Sequence, residues 1–86
     1  MSAATHTPRP TVTAICKALH AAVAELELTG LPRVMFAGPF LAGAVVALNH
    51  QGDFTAADDL RALRQRLSVN GYREIAQLLE RAGALS

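Results

Sequence analysis

The chain contains little of several residue types, and each shortage excludes a class of protein. Cys16 is the only cysteine among 86 residues, so no intrachain disulfide can form and a disulfide-stapled secreted domain is excluded. Tryptophan is absent and aromatic residues are few, so the core must consist mainly of leucine, valine and alanine. The charges nearly cancel, and a net charge of +1 provides no overall field to attract nucleic acid or an anionic membrane.

The N-terminus lacks the features of a secretory signal. Its sequence, MSAATHTPRP, has no basic segment followed by an apolar one, so we expect no signal peptide and a cytoplasmic protein. The prolines predict a flexible tail over residues 1–10, in which Arg9 is a basic residue of the kind that DNA-binding arms carry into a groove. Residues 11–86 are long enough for one helical domain only.

Charge is missing altogether from one long stretch, Val34 to Leu48, which also has no polar side chain. A helix that is apolar on all sides must be enclosed by other elements or by lipid. Pro39 interrupts this stretch, which leaves two interpretations. Either a helix starts at Pro39 after a loop, or one longer helix is kinked there. We favour the first, because a proline at the first helical position loses no hydrogen bond. The prediction is a helix over about 39–50.

Three amphipathic helices are predicted around this element, over about 12–28, 56–67 and 71–82. Apolar residues recur at spacings of three and four in each, and no segment alternates as a strand would. In the first helix they are Val12, Ile15, Leu19, Ala22, Val23 and Leu26. Thr55 and Asp58 resemble a capping box at the start of the third helix, and residues 68–71 read as the break before the fourth. The predicted fold class is therefore all-α, a small four-helix domain in which three amphipathic helices pack around the central apolar helix.

Candidates for catalysis or metal binding are isolated in the sequence. Cys16 and His20 share a helix face, but a metal site needs three or four ligands, and no second pair has a defined spacing. His50 and Asp53 fit an acid–base pair less well than a helix end followed by a turn. Because no nucleophile, base and oxyanion set is recognisable, we expect no enzyme, no cofactor and no metal.

The apolar stretch is shorter than a membrane span. Fifteen residues from Val34 to Leu48 make a helix of roughly 22 Å, against a hydrocarbon core of about 30 Å. Pro39 lies inside this stretch, and no cluster of basic residues flanks it. We expect a buried helix and no membrane contact, and keep a short membrane-associated protein as the third hypothesis.

The third and fourth helices also resemble a helix-turn-helix. In that arrangement Asn70, Arg73, Gln77 and Arg81 would face DNA. However, residues 53–86 carry as many acidic as basic side chains, and phosphate neutralisation dominates DNA affinity. A DNA-binding repressor is therefore the alternative hypothesis.

The favoured hypothesis is a small non-enzymatic protein-binding module that acts as a regulator, adaptor or inhibitor. Three helices with one apolar stripe each are too few to cover a fourth that is apolar all round, and uncovered apolar area marks an interface. A homodimer through the apolar helices is the simplest way to cover it. A further partner-binding surface is predicted on the outer side of the third and fourth helices. Its residues are Arg61, Arg64, Arg73, Gln77 and Arg81.

Overall fold

A computed structural model describes residues 9–84, which form four α-helices and no strand. In chain order these are α1 (Pro10–Glu25), α2 (Leu31–Gln51), α3 (Phe54–Asn70) and α4 (Arg73–Arg81). Helix α2 packs most extensively on α3 and less on α1, while α4 packs on α1 and α3. The all-α, four-helix prediction is confirmed. Most of the predicted tail, residues 1–8, lies outside the described residues.

The core is a layer of aliphatic side chains supplied by all four helices. In α1 the buried residues are Val12, Cys16, Leu19 and Val23, which follow a spacing of four, three and four. The largest fully buried side chains elsewhere are Leu41, Leu60, Leu63, Ile75 and Leu79. Leu26, predicted as the last member of the α1 stripe, is instead 55% exposed, because α1 ends before it.

Both ends of α1 differ from the predicted bounds. The helix begins at Pro10, a residue assigned to the tail, because proline is well suited to the first turn, where its N–H would have no partner. It ends at Glu25 rather than near residue 28. Glu27 takes a left-handed φ of 55°, and the N–H of Leu28 donates to the carbonyl of Val23 at 3.1 Å. This is a Schellman ending with glutamate at the position that usually holds glycine.

Helix α2 runs uninterrupted from Leu31 to Gln51, with Pro39 inside it. The favoured prediction, a loop followed by a helix that starts at Pro39, is therefore wrong, and the longer helix is correct. The physical reason lies in its first turn. Gly30 (φ 62°) precedes the helix and Pro32 is in its first turn, so the N-terminal signals expected at Gly38 and Pro39 already occur there.

Helix α3 is also longer than predicted. It starts at Phe54, because the Asp53 carboxylate accepts a hydrogen bond from the N–H of Ala56 at 3.3 Å, so Asp53 rather than Thr55 is the cap. It continues through residues 68–70, which were predicted as a break. Gly71 ends it with φ 70° and ψ −162°, a conformation almost restricted to glycine.

The position of Pro39 generates a stability prediction. Inside a helix, proline removes a backbone hydrogen bond and is roughly 3 kcal/mol less favourable than alanine. Alanine restores the missing N–H, and it fits a helix that already has room for the larger proline ring. We therefore expect Pro39→Ala to raise the free energy of unfolding by about 1–3 kcal/mol, measured by urea denaturation. Pro32→Ala is the matched control, because the N–H groups of the first turn have no helical partner. An equal or smaller gain for Pro39→Ala than for Pro32→Ala would contradict the helix-interior position.

Candidate functional site

The most unusual surface of the molecule is the side of α2 that points away from α3. We call it the outer face of α2 and define it by its exposed residues Leu31, Pro32, Met35, Pro39, Gly43, Val46 and Ala47. Leu31 is 68% exposed, Met35 66% and Val46 57%. None of these residues carries a polar side chain, so the outer face is an apolar strip from the first residue of α2 to Ala47, before the polar last turn of the helix.

The pattern of burial explains why this strip is uncovered. In α2 only Ala37, Leu41 and Leu48 are buried, at a spacing of four and seven that places them on one side of the helix. Helix α3 packs along that side. The other helices therefore leave part of α2 uncovered, as expected from the sequence. Single large side chains are often exposed on a protein surface, but a contiguous apolar strip is unusual.

Helix α2 is longer than the apolar stretch Val34 to Leu48. Within residues 9–84, α2 is the one helix that is long and apolar enough to cross a membrane, and 22% of its apolar window is buried. The core helix of a soluble protein passes the same test, so length and composition alone do not show a span. Such a core helix is mostly buried, whereas most of α2 is not, so the expectation of a buried helix is wrong. The prediction that the apolar helix is too short for a span is wrong, because it counted only Val34 to Leu48, whereas the helix has 21 residues from Leu31 to Gln51.

Two residues of the predicted arginine-bearing surface, Arg61 and Arg64, lie on α3. Arg61 forms an ion pair with Asp58 at 2.6 Å. The Arg64 Nε donates to the carbonyl oxygen of Gly38 at 3.1 Å, so this arginine joins α3 to α2. Arg66, two residues on and nearly opposite around the helix, instead pairs with Glu74 of α4 at 2.7 Å. Arg64 therefore borders α2, and Arg61, three residues earlier, shares its side of α3.

The remaining predicted surface residues lie on α4. Arg73, Gln77 and Arg81 follow one another at intervals of four, so they share a helix face, and all three are exposed.

Asn70, which the DNA hypothesis placed in a groove, is partly buried and its amide donates to Glu74 at 2.7 Å. Hydrogen bonds from Arg66, and then from Asn70, outweigh burial and hold the pKa of Glu74 below its ordinary value. Asn70 is therefore part of the α3–α4 junction.

A polar cluster that the sequence did not reveal joins α1, α2 and the start of α4. His20 Nδ1 lies 2.9 Å from the hydroxyl of Tyr72, and the two rings stack with centroids 5.9 Å apart. The Arg33 guanidinium lies over the Tyr72 ring at 5.4 Å, and its Nε donates to the carbonyl of Leu28 at 2.8 Å. These residues are far apart in the chain, so no local spacing indicates the cluster. The only available signal is that Tyr72 is the single tyrosine.

The candidates for metal binding or catalysis have structural surroundings. Cys16 is fully buried, and among residues 9–84 no three histidine, cysteine or acidic side chains are grouped to hold a metal ion. His20 is engaged by Tyr72, and Asp53 caps α3. Burial raises the pKa of the Cys16 thiol to about 11 and also raises that of the Tyr72 hydroxyl, an effect that Arg33 partly offsets.

The buried thiol predicts a loss of stability in alkali. Its pKa rises from 9.0 to about 11 on folding, so the folded state holds the proton more tightly. That stabilisation is complete below pH 9 and is lost as the pH rises towards 11. We expect the free energy of unfolding to fall by about 1 kcal/mol between pH 8 and pH 10. In Cys16→Ala, which has no thiol to titrate, the fall should be clearly smaller, because only the contribution of Tyr72, whose pKa is also raised, remains. An unchanged fall would contradict the assignment.

Comparison of the chain with protein-family models, with curated proteins and with solved structures finds no match.

Proposed function

We propose that this protein is a non-enzymatic protein-binding module whose binding surface is the outer face of α2. The observation that carries the proposal is the exposure of Leu31, Met35 and Val46 on one side of one helix. No charged side chain interrupts this strip. In a folded monomer a contiguous apolar surface of this kind is typical of an interaction site.

The energetic reason is the cost of leaving the strip in water. Covering an apolar side chain stabilises a complex by about 25 cal/mol for each Å² removed from solvent. A large exposed side chain such as Met35 therefore gains on the order of 1–2 kcal/mol when a partner covers it. Several such residues in a row supply the apolar centre that protein interfaces have, while the Arg64 guanidinium beside α2 supplies a charged group for its rim.

A protein fits this surface better than the interior of a bilayer. The Arg64 guanidinium reaches the Gly38 carbonyl, eight residues into α2. Insertion of α2 as a span would either carry this charge into hydrocarbon or separate α2 from α3. Helices that lie flat on a membrane are rich in lysine and arginine on the opposite face, whereas Arg33 is the only charged residue of α2.

The DNA-binding alternative has fewer available residues than the sequence suggested. Asn70 bonds to Glu74, Arg61 pairs with Asp58 and Arg64 reaches α2, so Arg73, Gln77 and Arg81 remain. Two arginines neutralise few phosphates, and phosphate contacts supply most of the affinity of proteins for DNA. No separate observation favours this function over protein binding.

Photo-crosslinking tests the proposed surface directly. A photoreactive amino acid replaces Met35 in the full chain, which is expressed in cells of its source organism and irradiated. We expect a discrete protein adduct, because a partner that covers the outer face would contact this side chain. The matched control carries the same group at Val69, which is 82% exposed on α3 and lies off the outer face. Adducts to lipid alone, no protein adduct, or the same adduct from both positions would contradict the proposal.

A further inference from the structure

We propose that the partner of the outer face of α2 is a second copy of this chain, packed antiparallel through α2. The inference rests on the proposed function and names the occupant of that surface. The observation behind it is a regular row of residues along the exposed side of the helix. We call this row the outer seam, and its members are Pro32, Met35, Pro39, Ala42, Val46 and Asn49.

The outer seam has the spacing of a helix-pairing surface. Its residues follow intervals of three, four, three, four and three, the pattern by which two helices pack side chains between one another. All of them are exposed except Ala42, which is half-buried, and all are apolar except Asn49 near the C-terminal end. Helix α3 occupies the opposite side of α2, through the row that contains Ala37, Leu41 and Leu48. The outer seam lies on the exposed side, and no helix of residues 9–84 covers it.

The outer seam is complementary to itself when two copies run in opposite directions. Met35 and Val46, its most exposed large side chains, lie at equal distances from the midpoint between Pro39 and Ala42. An antiparallel pair therefore places Met35 of one copy against Val46 of the other, and Pro39 against Ala42. Symmetric dimers in which the same patch meets itself are the commonest oligomers.

Charge favours the antiparallel over the parallel arrangement. Arg33 is the only charged residue of α2 and lies in its first turn. Antiparallel packing places the two copies of Arg33 at opposite ends of the pair, whereas parallel packing brings them to the same end, where like charges repel. It also sets the N-terminal end of each helix dipole beside the C-terminal end of the other.

The area of this surface is sufficient for a weak dimer. Helix α2 has 21 residues and is therefore about 31 Å long. Two such faces in contact would bury on the order of 1,000 Å² in total, which is near the lower limit for specific protein interfaces. We therefore expect a reversible monomer–dimer equilibrium rather than an obligate dimer.

Sedimentation velocity over a concentration series tests the dimer. The wild-type chain should pass from monomer to dimer, and the double variant Met35→Glu/Val46→Glu should raise the dissociation constant at least tenfold, since it buries four carboxylates in one interface. Both positions are exposed, so the variant should keep its helical circular dichroism. Val69→Glu, which removes an equally exposed apolar residue on α3, is the matched control and should dimerise like the wild type.

Disulfide trapping tests the direction of the helices. Chains with Met35→Cys are mixed with chains carrying Val46→Cys and oxidised in air. The mixture should give a cross-linked dimer, while either variant alone should give none. Cys16 is fully buried, so it supplies no background. Cross-links within each variant alone would overturn the antiparallel arrangement.

The outcomes separate this inference from the proposed function. A wild-type chain that stays monomeric at every concentration, or a dimer unaffected by the double variant, overturns the second copy as occupant. If Met35 then cross-links to a different protein, the protein-binding module stands and only its partner changes. Binding to phosphatidylcholine vesicles that the double variant abolishes, with no protein adduct at Met35, overturns both.

Discussion

The packing of α2 on α3 is the constraint on which the rest of the structure depends. Helix α2 is apolar on every side, yet its neighbours bury only the side that contains Ala37, Leu41 and Leu48. Arg64 reinforces this contact from α3 by donating to the carbonyl of Gly38. Helix α1 makes a smaller contact with α2, and α4 packs on α1 and α3 instead, so within residues 9–84 no helix remains to cover the outer face. An uncovered apolar strip is the direct consequence of a four-helix domain of this size.

The helix count and most core positions could be predicted, because they depend on local periodicity. Leucines at 60, 63 and 67 mark the buried side of α3 in sequence as they do in the structure. The ends of helices were less predictable, since several signals compete at each. Proline favours the first turn of a helix, which predicted a start at Pro39, but the continuous apolar run forms one helix with Pro39 inside it. Asp53 likewise prevailed over Thr55 as the cap of α3, because Asp53 lies directly before the first helical residue.

The candidate site was only partly predictable. That α2 would keep uncovered apolar area follows from counting apolar stripes, but which side stays exposed depends on how α3 packs. The sequence also does not show which neighbour an exposed arginine of α3 meets, since Arg64 bonds to α2 while Arg66, two residues on, bonds to α4. The contact of Tyr72 with His20 spans 52 residues, so it depends on the tertiary fold. Long-range side-chain contacts of this kind leave no periodic signal in a sequence.

We infer that a second copy of this chain covers the outer face of α2 when the protein is concentrated. The most direct measurement is the effect of a soluble nitroxide on the methyl resonances of the concentrated protein. A covered face predicts that the methyl groups of Met35 and Val46 are shielded from the nitroxide nearly as well as those of the buried Leu41, while those of the exposed Val69 are strongly broadened. Broadening of the Met35 and Val46 methyl groups equal to that of Val69 would contradict the account.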